Sequence, residues 1–384
     1  MGSIFYNMYA SSMTVPYMIN FYGTWIGHSI GRPLLALTAV ALLMKPRAAI
    51  RKFGIFCTSV QYLVLCKDKR FKAPPKDPAT AFEGKSEAEI DKKTVIFVRH
   101  GESTWNDTFN KGDRKTLAFI QGFIPGLFKA VFNEWYFWVT GQENESWFYD
   151  APLSEKGQKQ AETIHDYLSK AKLEFMPPKE KEIMKLLLAN DESGGKSAPS
   201  SQLVSSNLRR AIATMAIGFQ SRLEKTRESG SAENDQIILL PELQEISFNP
   251  DALSITPAHK QPEIAFSDPL YIDKIYEQQV NSKWHTGNKK LSENGLYRLM
   301  AFCKLVFNEE IIAPSKSAVI AGGHSLWFRS FFRTFLPYTV EHISKTKKLQ
   351  NGGIVAFTLQ RTKDGDDDQY MIDPKSIVVM HGGF

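Results

Sequence analysis

Residues 94–106 read Thr-Val-Ile-Phe-Val-Arg-His-Gly-Glu-Ser-Thr-Trp-Asn. The β-branched apolar run predicts a buried strand, and it stops abruptly at Arg99-His100-Gly101, with a cation and an imidazole at its carboxyl end. Ligands of open α/β sheets bind beyond the carboxyl ends of the strands. An arginine and a histidine placed there are suited to gripping and attacking an anion.

Three more runs repeat this logic. Leu203-Val204 leads through Ser205-Ser206-Asn207 to Leu208-Arg209-Arg210-Ala211, a short strand entering a helix with cations in its first turn, where backbone N–H groups and the helix dipole already favour an anion. Ala318-Val319-Ile320-Ala321 ends in Gly322-Gly323-His324-Ser325, and Ile237-Ile238-Leu239-Leu240 is followed by Pro241 and then Leu243-Gln244-Glu245. Two histidines, arginines and a carboxylate are thus expected on one rim of one sheet. The implied fold class is α/β, a three-layer sandwich with a mostly parallel central sheet and flanking helices.

With these segments in view, residues 93–384 resemble the histidine phosphatase superfamily, the phosphoglycerate-mutase-like fold. Arg99-His100-Gly101-Glu102-Ser103 with Asn106 is similar to the family's signature, and Ala151-Pro152-Leu153-Ser154-Glu155-Lys156-Gly157-Gln158 to its second segment. Ser205 to Ala211 with Thr214, Leu243-Gln244-Glu245, His324 and Asn351-Gly352-Gly353 follow in the family's order. Ser325 stands where the family usually has glycine after its second histidine. The resemblance implies catalytic roles for His100, Glu245 and His324, and phosphate binding by Arg99, Asn106 and Arg210.

The same residues suit phosphate-ester chemistry on physical grounds. Anionic oxygens repel a nucleophile and an alkoxide leaves poorly, so without a metal the reaction needs dense positive charge, a nucleophile and an acid. His100 can attack phosphorus and become a phosphohistidine. Arg99 and Arg210 can fork onto phosphate oxygens, and a cationic His324 would add donors. A protonated Glu245 can protonate the leaving oxygen and then activate water, although Glu242 stands close to it in sequence. Adjacent arginines on a helix point about 100° apart; the family pattern selects Arg210 and leaves Arg209 as a solvated charge.

No cofactor or metal is expected. His28, His165, His259, His285, His342 and His381 lack metal-ligand spacing, and Cys57, Cys66 and Cys303 form neither a C-x-x-C pair nor a disulfide framework.

Charge divides the 384 residues unequally. Residues 1–72 hold nine cations and one acid, Asp68, for a net +8, while the remainder is −2. Nucleic acid is therefore not implied for the catalytic body. Residues 4–31 carry no charge, Pro33–Met44 is an apolar dozen, and Phe53–Cys66 is a further uncharged stretch. None reaches the roughly 20 apolar residues of a clean span, so the segment 1–72 is expected to lie at a membrane as interfacial or re-entrant helices, or to dock on a membrane protein complex. Each cation facing an anionic bilayer would add on the order of 1 kcal/mol. The alternative is a pair of helices buried against the phosphatase domain or another subunit.

Residues 73–92, rich in proline and charge, predict a linker that holds the domain away from this appendage, and a chain starting near Ala73 is expected to fold alone. Residues 171–202 and 224–236 predict polar surface insertions. An aromatic insertion, 115–149, leaves the first motif and returns to the second, and is expected to border the catalytic mouth as a lid, a lipid-facing or partner-facing surface, or an extra core helix.

The expected activity is phosphomonoester hydrolysis through His100 on a phosphorylated small molecule or phosphoprotein. The alternatives are a phosphatase-like structural subunit of a membrane complex, and a phosphoglycerate mutase. Against the mutase, the resemblance calls for a basic set after the proton donor, and Ile246–Pro269 offers only His259 and Lys260. The architecture is also similar to that of membrane-anchored mitochondrial phosphatases of the superfamily, which makes the mitochondrial inner membrane the expected location, with the cytoplasmic face of another organelle membrane as the alternative.

Overall fold

β1 (Asp91–Arg99) buries both faces of its central residues, and alternate side chains enter two separate cores, as the period of two along a strand requires. Val95 and Phe97 pack with Phe302, Trp327, Phe328 and Phe331 on one side. Ile96 and Val98 pack with Ile164, Met184, Ile212 and Met215 on the other. Two cores separated by one sheet make three layers. The structure, a computed structural model, describes residues 32–110, 114–189 and 200–384; the uncharged 4–31 stretch lies outside them.

The sheet has eight strands in the order β4-β3-β2-β5-β1-β6-β7, with β8 also paired to β6. β2 (Ser201–Ser205), β3 (Ile237–Leu239), β4 (Val280–Asn281), β5 (Ala318–Gly323) and β1 run parallel, whereas β6 (Ile354–Asp364), β7 (Asp367–Ile372) and β8 (Val378–His381) form an antiparallel flank. The sheet is therefore mixed.

The helices follow in chain order as α1 (Arg32–Met44), α2 (Pro46–Leu65), α3 (Thr104–Phe109), α4 (Thr116–Thr140), α5 (Glu155–Ser169), α6 (Pro178–Leu188), α7 (Arg209–Gly218), α8 (Gln220–Glu228), α9 (Asp273–Gln279), α10 (Gly295–Val306) and α11 (Ser325–Phe335). α5, α6 and α7 cover one face of the sheet and α10 and α11 the other. Within the 171–202 stretch the described residues are not a surface insertion, because α6 buries Ile183, Met184 and Leu187 and β2 begins at Ser201; residues 190–199 lie outside the described residues.

The N-terminal part departs from its expected place. α2 buries Ala48, Ile55 and Tyr62, one stripe at seven-residue spacing; Ile55, Tyr62 and Cys66 form a small core with Tyr149, Leu253 and Ile255. Asp68 is 1% exposed and ion-pairs with Lys289 and Arg298. Residues 73–92 do not hold the domain away: the Tyr338 hydroxyl donates to Pro74 O, the Tyr338 N–H donates to Asp77, and the Thr362 hydroxyl donates to Glu89 O. Composition suggested a linker, but turn-forming residues also suit an ordered strap whose polar groups find partners on the domain.

Candidate active site

Strand register builds the site. Arg99 lies beside Gly323 in the β1–β5 pairing, so His100 and His324 leave neighbouring strands at the same level. Ser205 lies beside Gly322, which brings Ser206 to that level as well. The His100 N–H donates to Gly323 O at 3.0 Å and the Ser206 N–H to Gly322 O at 2.9 Å, extending the ladder by one residue. The two imidazole centroids are 4.8 Å apart.

The turn after His100 is fixed by glycine on both sides. A Cβ on Gly101 would lie 2.3 Å from Gly157 O, and one on Gly157 would lie 1.9 Å from Glu102 O. Only glycines let the first two motifs meet backbone to backbone. The Thr214 hydroxyl accepts from the Gly101 N–H at 3.0 Å and donates to Arg210 O at 2.7 Å, tying this turn to α7.

These contacts define the His100 tautomer. Its Nδ1 faces its neighbour's carbonyl, Gly101 O, which can only accept, so Nδ1 carries the proton. Nε2 is left as the acceptor nitrogen, and Arg210 Nε donates to it at 3.4 Å. Burial, then the Arg210 and Arg99 guanidiniums, push the His100 pKa well below 6.5. The ring is a neutral base.

Arg210 is itself held. Nη1 donates to Asp251 O at 2.6 Å, and Nη2 lies 3.4 Å from the Asp251 carboxylate. His324 places Nε2 3.0 Å from Ser206 Oγ, while its buried Nδ1 has no hydrogen-bond partner among the described residues. Burial, followed by Arg210, pushes its pKa well below 6.5 too. Burial and the neighbouring guanidiniums thus both favour the neutral ring.

Glu245 and Glu242 are now distinguishable. Burial raises both carboxyl pKa values above 4.5, but the fields of Arg210 and Arg99 act on Glu245, whereas those of Arg298 and Glu293 act on Glu242. Glu245 Oε1 accepts from the N–H groups of Trp327 and Ile246, each at 3.0 Å, and Lys348 feels both Glu245 and Arg99.

Arg99, Asn106, Lys156, Lys348 and Asn351 line a polar cavity of about 800 Å³ at this rim. Arg99 also donates to Leu349 O. Asn106 is the outlying member. It shares the cavity wall with Arg99, its Oδ1 accepts from Asn110 at 2.5 Å, and no described hydrogen bond joins it to the histidines.

Arg209 is no solvated charge. It is buried, ion-pairs with Glu145 at 2.6 Å and donates to Asp150 O and Ser146 O, clamping the end of the 115–149 insertion. Sequence reasoning also missed Asp251, Ser206 and Lys348. Ser206 had a usable signal, since it follows a strand end as His100 does; Asp251 had none, lying 41 residues from the arginine it holds.

No protein-family model matches the chain, and no curated protein matches its sequence. Among solved structures, a mycobacterial glucosyl-3-phosphoglycerate phosphatase in complex with VO3 is 14% identical, with 73% of this chain and 97% of that one covered and a TM-score of 0.31. A phosphoglycerate mutase from Bacillus anthracis is 14% identical, with 75% and 94% covered and a TM-score of 0.32. An ecdysone phosphate phosphatase from Bombix mori in complex with tungstate is 14% identical, with 74% and 93% covered and a TM-score of 0.32.

Proposed function

We propose that the chain is a phosphomonoester hydrolase working through a phosphohistidine on His100, with arginine cations in place of a metal. The observation that carries this reading is the buried His100 ring with Nε2 as its acceptor nitrogen facing Arg210, the same guanidinium that acts on the Glu245 carboxyl, whose pKa is raised by burial. Nε2 attacks phosphorus, the P–O bond to the leaving group breaks, and that oxygen takes the proton of Glu245. Glu245, now a carboxylate, removes a proton from water as the water oxygen attacks the phosphohistidine. Phosphate leaves, and His100 and protonated Glu245 are restored. Arg99, Arg210, Asn106 and the open Nδ1 of His324 supply groups for the phosphoryl oxygens.

The test is leaving-group dependence. Glu245→Gln should slow glycerol phosphate by roughly 10²-fold or more and para-nitrophenyl phosphate far less, because a nitrophenolate leaves without a proton. Equal losses on both would remove Glu245 from the role of acid.

The enzyme works, on the same proposal, at an anionic bilayer surface. α2 and α4 are long and apolar enough to cross a membrane, yet each is held to the domain on one side, α2 through Ile55 and Tyr62 against Tyr149, Leu253 and Ile255 and α4 through Phe137 against Phe266. Their opposite sides are exposed at helical spacing: Phe53, Phe56, Val60 and Val64 on α2; Leu117, Ile120, Ile124 and Phe128 on α4. The helices also touch α1, where Leu43 is 81% exposed. Helices glued lengthwise to a soluble body can lie in an interface but cannot cross it alone. Exposed Arg47, Lys67, Arg70 and Lys72, on the segment that carries α2, select an anionic lipid surface as the occupant of this apolar face. The full chain should float with vesicles of phosphatidylcholine mixed with phosphatidylserine, less with phosphatidylcholine alone, and not after Phe53→Glu with Phe128→Glu. Equal flotation of that double variant, or none of the parent, would overturn the docking.

A further inference from the structure

The apolar N-terminal segment ends in a charge that reaches beneath the candidate acid. Asp68 is the only acid in residues 1–72, and it is 1% exposed. Its Oδ2 accepts from Lys289 Nζ at 2.8 Å and from the Ser247 N–H at 2.9 Å, and its Oδ1 accepts from Arg298 Nη2 at 2.5 Å. Its own carbonyl takes the Gly295 N–H at 2.9 Å, at the start of α10.

The two cations also hold the backbone that carries Glu245. Lys289 Nζ donates to Glu245 O at 2.8 Å and to Ser247 O. Arg298 Nη1 donates to Gln244 O at 2.6 Å, and the Lys289 N–H donates to the Gln244 side chain at 2.9 Å. Three carbonyls within four residues are thus fixed by cations that are 2% and 5% exposed, and a buried cation keeps such a geometry only with its countercharge present.

We propose that Asp68 is a positioning residue for the hydrolysis: by neutralising Lys289 and Arg298 it keeps in place the hydrogen bonds that hold the backbone carrying Glu245. This rests on Glu245 as the acid. The segment that carries the membrane-facing helix α2 thereby also conditions the chemistry, through the two residues between Leu65 and Asp68.

The experiment uses the full chain and reads kcat/KM for glycerol phosphate and para-nitrophenyl phosphate, a quantity that reports the first transfer alone. A displaced acid costs most where the leaving group needs a proton, so Asp68→Asn should lower kcat/KM about tenfold for glycerol phosphate, with far less change for the aryl ester. Asp68→Glu should restore most of the loss, and Lys289→Met, which removes the donor to Glu245 O, should discriminate the esters in the same direction. Equal losses on both esters would reduce Asp68 to a structural residue and overturn the inference. Should Asp68→Asn not fold, equal losses on both esters in Lys289→Met overturn it instead. Glu245→Gln separates the two proposals: if it fails to discriminate the esters the acid assignment falls, and if it discriminates while Asp68→Asn does not, only the role of Asp68 falls.

Discussion

Shortening the chain in three steps should reveal where the folded unit begins. A chain starting at Pro46 loses α1, whose buried hydrophobic contribution among the described side chains is Ala41, and should unfold close to the parent. A chain starting at Cys66 also loses Ile55 and Tyr62, each 9% exposed in the parent. At about 1.5–3 kcal/mol for each large buried side chain, the loss is about 3–6 kcal/mol. A chain starting at Ala73 loses Asp68 as well and strands Lys289 and Arg298 in the core, a further ~3–5 kcal/mol. Domains are stable by only about 5–15 kcal/mol, so this last chain should be largely unfolded or aggregated. Urea unfolding followed by tryptophan fluorescence, all chains in the same mild detergent, would give the order of midpoints. Adding Lys289→Met and Arg298→Met to the shortest chain should restore part of the loss, because apolar side chains replace buried charges. Identical midpoints for the chains from Cys66 and Ala73 would refute the reasoning, since they would mean the Asp68 cluster contributes nothing.

Other outcomes follow from the site. The acidic limb of kcat/KM should lie below pH 6.5, because a depressed His100 pKa keeps the nucleophile neutral into acid, and the alkaline limb for an alkyl ester should lie above pH 4.5, because Glu245 holds its proton beyond the ordinary carboxyl range; an acidic limb above 6.5 would contradict the burial of His100. Arg209→Met should destabilise the fold by about 3–5 kcal/mol, as expected for one partner of a buried pair, and loosen the 115–149 insertion; hydrogen exchange unchanged in α4 would contradict the clamp. Chelators should leave turnover unchanged, and a loss restored by Mg²⁺ or Zn²⁺ would contradict a site built on arginine cations.

The strand ends were legible because their signals are local. Apolar runs such as Val95–Val98 and Val319–Ala321 are interrupted by glycine and a polar group within three residues, and the sheet then gathers such ends on one rim. What was illegible is long-range and electrostatic. Nothing near Asp68 announces a lysine 221 positions away or an arginine 230 away, and in a segment of net +8 a lone acid looks solvated. Arg209 misled for the same reason: helical geometry separates it from Arg210 correctly, but its partner Glu145 comes from a distant insertion. The aromatic content of 115–149 was legible, while the direction of its outer face was not, because Leu117, Ile120, Ile124 and Phe128 have the spacing of a core stripe.

The central claim is the covalent bond between phosphorus and His100 Nε2. Rapid mixing of the full chain with ³²P-labelled substrate, followed by quenching in base, should trap label that is stable in alkali and lost in acid, mapped by peptide sequencing to His100 and absent from His100→Ala. Label retained in His100→Ala, or label of acid-stable character on another residue, would contradict the account.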